Sequence, residues 1–500
     1  MPGQAAIHRA CRIDRRLTDE SRDAVALVHG ARVLTYGALD DLVGRVAGGL
    51  ITAGLAPGDR IVTWLPKSIE SVVLLFGAAR AGAVFVPANP QLKAAQVAHI
   101  AADADARLLV TTRARAVGLA APALTLEDDF ERLAAGPPAL VEVAADALAA
   151  LLYTSGSTGA PKGVMLSHSN LWHAADSVRR YLNTAPDDRV LSVLPHGFDY
   201  GLNQLTQAWG AGARVVLLDY LVPRDVTRAV AAHGITQLAG VPPLWHDLAA
   251  LDWAGQGGSL RVLTNSGGHL HAALSAKLHA LFPNARLFLM YGLTEAFRAT
   301  FLNPALAATH PDSVGTAIPH AEVHVLRPDG SETDADEPGE LVQAGPLVAQ
   351  GYWRDPERSA ARFRAAPPVF ASGGMAVWSG DTLRRDAAGL HWFVGRDDEM
   401  IKTSGHRVSP TEIEDAALAS GAAGAAMALG VPDARLGQSI VLVAAPAGID
   451  AEARLREHLA RVLPGYMVPA RIDWRAQLPV NANGKLDRAR LRAEVLAAAP

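Results

Sequence analysis

Leu151-Leu152-Tyr153-Thr154-Ser155-Gly156-Ser157-Thr158-Gly159-Ala160-Pro161-Lys162-Gly163 is the segment that decides how the rest of the chain is read. An apolar run predicts a strand ending at Tyr153. The ten residues from Thr154 to Gly163 then carry four hydroxyls, three glycines and one lysine. Glycines let the backbone curl until successive N–H groups face inward, hydroxyls add donors, and the lysine adds charge. Such a loop is suited to a polyphosphate. A helix is expected within ten residues of the loop, the setting in which backbone N–H groups favour an anion. The loop is not a Walker P-loop: Pro161 directly precedes the lysine, and Gly163 stands where Ser or Thr would bind magnesium. A kinase or simple ATPase would need a Walker or kinase loop, which is absent.

Outward from this loop, short β-branched runs alternate with Ala/Leu/Arg-rich helical stretches through roughly the first 390 residues. Strands are expected at Arg60–Leu65, Ala83–Pro87, Arg107–Thr111, Arg189–Leu194, Ala213–Leu218 and Ala285–Met290. Helices are expected at Leu39–Ala53, Ser68–Ala81, Asn170–Tyr181, Arg224–Gly234 and His271–Phe282. This alternation predicts an α/β fold of mostly parallel sheets flanked by helices. From about Gly315 the pattern becomes hairpin-rich: Glu322–Leu326, a turn at Pro328-Asp329-Gly330, then Glu340–Val342. The last hundred residues are enough for a small α+β domain, with helices near Thr411–Ser420 and Ala451–Leu463 and strands at Ala426–Val431 and Ser439–Ala445.

Five hundred residues are too many for one core. A 50% hydrophobic and 19% charged composition rules out a largely disordered chain. With 46 Lys+Arg against 50 Asp+Glu and no long basic run, there is no electrostatic case for nucleic acid. Cys11 is the only cysteine, which excludes an intrachain disulfide and a multi-cysteine zinc site. The run Val72–Val86 is interrupted by Arg80 and reads as a helix–strand pair and not a membrane span. The start lacks the apolar region of a signal peptide, so a cytoplasmic enzyme is expected. Only six basic residues are lysine, namely Lys67, Lys93, Lys162, Lys277, Lys402 and Lys485. In an arginine-dominated chain such lysines suggest a need for compact point charges.

Thr154–Val164, TSGSTGAPKGV, resembles the signature loop of the AMP-forming adenylating enzymes, the superfamily of acyl-CoA synthetases, peptide-synthetase adenylation domains and luciferases. Further motifs follow in the family's order: Leu34-Thr35-Tyr36, FLMYGLTE at Phe288–Glu295, Gly339-Glu340-Leu341 with Gly351-Tyr352-Trp353, and Trp378-Ser379-Gly380-Asp381. Next come Gly395-Arg396-Asp397-Asp398 with Ile401–Val408, then Leu463–Pro469, and finally PVNANGKLD at Pro479–Asp487. The resemblance covers essentially the whole chain. It implies an N-terminal ATP- and acid-binding domain over 1–396, with parallel αβ subdomains and a small barrel-like β segment. A mobile C-terminal domain over 397–500 would carry a catalytic lysine.

Adenylate formation needs mainly alignment and positive charge, because charge builds on oxygens that are already anionic. By resemblance Thr154, Ser155, Gly156, Ser157, Thr158, Gly159 and Lys162 would hold the β/γ-phosphates. Thr294 would contact the α-phosphate, and Glu295 would ligate Mg²⁺. Gly267, Gly268, Tyr291 and Gly292 would line the adenine slot. Asp381 would accept from both ribose hydroxyls, and Arg396 would reach ribose or phosphate. Lys485 would bridge the α-phosphate and the acid's carboxylate. For the second step, thiol attack, the small domain would rotate about Asp398 and present Lys402. Gly405 is either the tunnel glycine that lets a phosphopantetheine arm pass or a simple turn residue.

The acid is expected to meet the segment Leu194–Gln204. Asp199 occupies the place where amino-acid-activating members carry an ammonium-binding aspartate. His196 or Phe198 could serve as a gate, and Tyr200, Asn203 and Arg298 complete the pocket. Asp199 and Arg298 either pair with each other or recognise substrate. FDYGLNQL with YGLTEAFRAT resembles bacterial acyl-CoA ligases associated with the exosortase system. The expected activity is therefore an AMP-forming acyl-CoA ligase using ATP, Mg²⁺, a small carboxylic acid and coenzyme A. The alternative is a free-standing amino-acid adenylation enzyme that loads the phosphopantetheine of a separate carrier protein. Neither nucleic acid nor membrane insertion is expected. No residue argues for luciferase-type oxygenation.

Overall fold

The computed structural model describes residues 11–17, 21–119, 123–154, 161–396, 401–403, 406–433, 436–463 and 465–498. Parallel strands Val25–His29, Arg214–Leu217, Arg189–Ser192, Gln237–Gly240, Val262–Asn265 and Arg286–Tyr291 lie side by side. Their runs of Val, Leu and Ile are buried on both faces, as strands covered by helices should be. Gln237 is level with Val262, and Val262 with Arg286. Three neighbouring strands therefore release their carboxyl ends at one edge, where open α/β sheets bind ligands.

Past Arg286–Tyr291 the sheet turns antiparallel through Thr300–Phe301, Ser313–Ala317, His391–Arg396, Met375–Arg385, Gly339–Ala344 and Glu322–Leu326. The hairpin-rich segment is thus an extension of the main sheet. It does not close into the expected barrel among the described residues, because Glu322–Leu326 ends the path with a free edge.

A second sheet carries Leu124–Thr125, Ala106–Thr111, Arg60–Trp64, Val84–Pro87 and Leu148–Thr154 in parallel. Lys162–Ser167 then returns antiparallel to Leu148–Thr154, Thr154 facing Lys162. The helix expected after the loop does follow, at His168–Leu182, but this strand comes first. Val164 and Leu166 are fully buried at alternate positions, a strand's period and not a helix's. Ser167 then starts the helix: its Oγ accepts from Asn170 N at 3.1 Å, and Asn170 Oδ1 accepts from Ser167 N at 2.9 Å.

Beyond residue 400 a third sheet, built on the long hairpin Ala423–Asp433 with Gly437–Pro446, has cores of its own on both faces. Ile413, Leu455 and Leu459 of helices Pro410–Ala419 and Ala451–Val462 fill one, and Leu491 and Val495 of Arg488–Ala497 fill the other. The expected boundary at 396/397 adjoins 397–400, which lie outside the described residues. No helix among the described residues is long and apolar enough to cross a membrane.

Candidate active site

Four loops at the carboxyl edge of the main sheet build the site. The loop after Arg189–Ser192 leads to Asp199, the first residue of helix Asp199–Trp209. The loops after Gln237–Gly240 and Val262–Asn265 supply Val241 and the pair Gly267-Gly268. The loop after Arg286–Tyr291 carries Gly292, Thr294, Glu295 and Arg298.

Thr294–Ala296 is a single 3₁₀ turn, and Phe297 leaves it at φ 61°, ψ −49°. Arg298 N donates to Ala296 O at 2.6 Å, so the chain reverses over three residues. This tight γ-type geometry is strained for a residue with a Cβ. Phe297 tolerates it with its ring in the core, 1% exposed. The reversal turns Glu295 toward Lys162 and Arg298 toward the acid pocket.

Lys162 reaches Glu295 because residues 348–353 stitch the two sheets together. Met165 N donates to Gly351 O at 2.9 Å, Trp353 N to Gly163 O at 2.8 Å, and Ala349 N to Glu295 O at 2.8 Å. Lys162 Nζ donates to Glu295 Oε1 and to Tyr352 Oη, both at 2.8 Å, and Tyr352 Oη donates to Glu295 Oε1 at 2.7 Å. Burial pushes the Glu295 carboxyl up, but the Lys162 charge and these hydrogen bonds hold it below its ordinary value. A single ionised carboxylate at a phosphate loop fits Mg²⁺, which binds through one or two carboxylates and completes its shell with water and phosphate oxygens. Thr154 Oγ1 is buried with no hydrogen-bond partner among the described residues, consistent with a donor held for a ligand. Ser155, Gly156, Ser157, Thr158 and Gly159 lie outside the described residues.

Tyr291 Oη donates to Asp381 Oδ2 at 2.6 Å, which joins an aromatic face to a carboxylate where adenine and ribose are expected. Arg396 ends the strand paired with Asp381, but its side chain is outside the described residues.

Lys485 enters from the small domain. Asn481 Oδ1 accepts from Asn483 N at 2.9 Å and from Lys485 N at 3.1 Å, closing a turn that ends on the lysine. Asn89, just past strand Val84–Pro87, holds the turn against the large domain: its Nδ2 donates to Ala482 O and to Asn483 Oδ1, each at 2.8 Å. Lys485 Nζ sits 4.6 Å from the centre of the Phe198 ring. Its stem lies so close to Gly267 that a Cβ there would stand 2.5 Å from Cε. Lys485, Phe198, Asp199, Thr294 and Gly267 thus meet at one point. Lys402 lies in strand Ile401–Thr403, but its side chain, like Asp398 and Gly405, is outside the described residues.

Behind Phe198 a cavity of about 20 Å³, room for one water molecule, is lined by Tyr200, Asn203, Gln204 and Gln207 on one face of the helix and by Thr264 and Arg298 opposite. Asp199 Oδ1 accepts from Thr294 Oγ1 at 3.2 Å, and burial raises its carboxyl despite Arg298 and Lys485 nearby. Asp199 and Arg298 form no ion pair among the described residues. Arg298 instead donates to Ser266 Oγ at 2.5 Å and lies over the Tyr200 ring at 4.8 Å, its Nε without a hydrogen-bond partner. His196 does not line this cavity. Its Nε2 is 3.2 Å from Ser192 Oγ, and burial, with Lys67 adding to it, holds the imidazole down at about 3. Tyr352, Asn89 and Ser266 are site residues that the sequence reading did not single out. Only Tyr352 carried a signal, inside the Gly351-Tyr352-Trp353 motif.

Residues 14–353 match the AMP-binding enzyme family, and residues 412–485 match the AMP-binding enzyme C-terminal domain. The chain belongs to this family. As an AMP-binding enzyme it is an AMP-forming ligase. It is 34% identical over 485 residues to a feruloyl-CoA synthase of Amycolatopsis, covering 94% of this chain and 96% of that one. It is 31% identical over 500 residues to an L-proline–[L-prolyl-carrier protein] ligase of Pseudomonas fluorescens, with coverage of 94% and 96%. Its fold superposes on ATP-bound MatB of Rhodopseudomonas palustris with a TM-score of 0.88 and 28% identity, over 98% of this chain and 99% of that one.

Proposed function

We propose that this AMP-binding enzyme joins a carboxylic acid to ATP, releasing pyrophosphate, and then passes the acyl group from the adenylate to the thiol of coenzyme A. The observation that carries the first step is the delivery of the Lys485 ammonium to the mouth of the acid pocket, beside Asp199 and Thr294. An ammonium there draws the acid's carboxylate and the α-phosphate together and offsets their repulsion. The ionised Glu295 would hold Mg²⁺, which neutralises phosphate charge when bound. Lys162 and the hydroxyl loop would take the terminal phosphates, and Asp381 the ribose. The large feruloyl-CoA synthase relative supports coenzyme A as acceptor.

The small, polar-lined cavity supports a short acid bearing a hydrogen-bonding group, which Asn203 and Arg298 would meet. The likeness of FDYGLNQL and YGLTEAFRAT to exosortase-associated ligases supports membership of that bacterial group, and a cytoplasmic setting follows from this role. A second reading rests on Asp199, a buried carboxylate with no cation in pairing distance among the described residues, and on the prolyl-carrier relative. It makes the acid an amino acid and the acceptor a separate carrier protein.

Pyrophosphate exchange over a panel of amino, hydroxy and short-chain acids, followed by mass detection of the thioester on coenzyme A or a carrier, separates the two. Acid-dependent exchange with a CoA thioester is the expected result. Exchange confined to amino acids, abolished by Asp199→Asn, would favour the second, and no exchange with any acid would refute both.

A further inference from the structure

We propose a binding site for a divalent d-block cation such as Zn²⁺ between the two lobes, formed by His269, His271 and Asp415. His269 and His271 follow the Gly267-Gly268 loop of the large domain, and Asp415 projects from helix Pro410–Ala419 of the small one. One donor atom from each residue lies within 4.8 Å of the other two. Asp415 Oδ1 is 3.5 Å from His271 Nδ1 and 3.9 Å from His269 Nε2. Asp312 Oδ1 stands 3.5 Å from the same His269 Nε2 and adds a further carboxylate beside it.

These separations are too long for good hydrogen bonds. They approach the edge of a tetrahedron around a Zn²⁺ with bonds of 2.0–2.1 Å, about 3.4 Å by geometry. His269 Nε2 is buried and makes no hydrogen bond of good geometry. Two imidazoles and a carboxylate favour zinc, cobalt or nickel over magnesium or calcium, which prefer all-oxygen sites. No part of the adenylation machinery uses these three residues, so the site is independent of the reading above.

The consequence is mechanical. His269 is two residues from Gly267, whose backbone touches the Lys485 stem. A cation shared by His269, His271 and Asp415 would bolt the small domain in the pose that places Lys485 over Phe198.

The test uses the full chain free of any polyhistidine tag. Equilibrium binding of Zn²⁺ alone and the visible spectrum of Co²⁺ alone give the stoichiometry and ligand field. Circular dichroism and ATP binding check that variants remain folded. One Zn²⁺ per chain, a tetrahedral Co²⁺ spectrum and a rise of several degrees in Tm with Zn²⁺ are expected. Binding should fall at least tenfold in His271→Ala and in Asp415→Ala. Absence of stoichiometric binding overturns the proposal. So does stoichiometric binding that survives Asp415→Ala, since the cation would then sit on one lobe only.

Discussion

Lys485 reaches the pocket on a turn whose backbone is already tied down by Asn481, so little freedom is lost when its ammonium meets two anions. Its distance from the Phe198 ring leaves room for a carboxylate in front of it. Lys485→Ala is expected to cut pyrophosphate exchange by about 10²–10³-fold, the size typical of removing one preorganised charge. ATP affinity, measured by equilibrium dialysis, should change less than about threefold, because Lys162 and the loop hold the far phosphates. A parallel loss of ATP binding would assign Lys485 a structural role. Tyr352→Phe removes a hydroxyl that bridges Lys162 and Glu295. It should raise the Mg²⁺ concentration needed for half-maximal exchange while leaving the fold intact, and an unchanged Mg²⁺ dependence would count against the bridge. Tyr352, Asn89 and Ser266 act across 393 positions at the extreme, from Asn89 to Ala482 and beyond. No local spacing announces such pairings, which is why sequence reasoning found Lys485 through its motif and missed the side chain that seats it.

At the scale of elements, two glycines make contacts that no larger residue could. Gly267 adopts φ +80° at the end of strand Val262–Asn265, and any Cβ there would collide with Lys485. Gly267→Ala should therefore cost about 1 kcal/mol of stability and a much larger share of exchange activity, since the flexible ammonium is what must move. Gly201 lies in the first turn of helix Asp199–Trp209, where a Cβ would stand 2.0 Å from Pro195 O, a backbone atom that cannot step aside. Gly201→Ala is expected to lose about 2–3 kcal/mol in urea unfolding. Wild-type stability in that variant would show that the helix start can shift.

The strands and helices themselves were legible to within a few residues, because parallel strands read as continuous apolar runs and their helices keep a 3.6-residue stripe. The returning strand Lys162–Ser167 was not, since six residues at a loop's edge are too few to separate one period from another. The open edge at Glu322–Leu326 was equally hidden: hairpin signals fix neighbours but not whether a sheet closes.

For the whole molecule, acid sensitivity follows from two deeply buried histidines. Burial holds His168 at about 4 and His196 at about 3, so both are neutral in the folded chain while the unfolded chain protonates near 6.5. The unfolded state then binds more protons, and stability is lost as pH falls from 6.5 toward 4, by up to about 1.4 kcal/mol per pH unit for each group. His269, whose imidazole is raised by Asp312 and Asp415 against the effect of burial, works in the opposite direction and loses its contribution as pH rises. Thermal unfolding scanned from pH 8 to 4 should show Tm falling below 6.5, and a flat profile would mean these rings gain protons without opening the fold.

One division of labour remains. Tyr200, Asn203, Gln204 and Gln207 recur at the spacing of a single helical face, whereas the groups that would grip the nucleotide sit on loops and in the 348–353 stitch. Diet and engine are thus written on separate parts. Lineages can retune what this protein consumes through four exchangeable side chains, none of which belongs to a strand, and leave the adenylating apparatus as it stands.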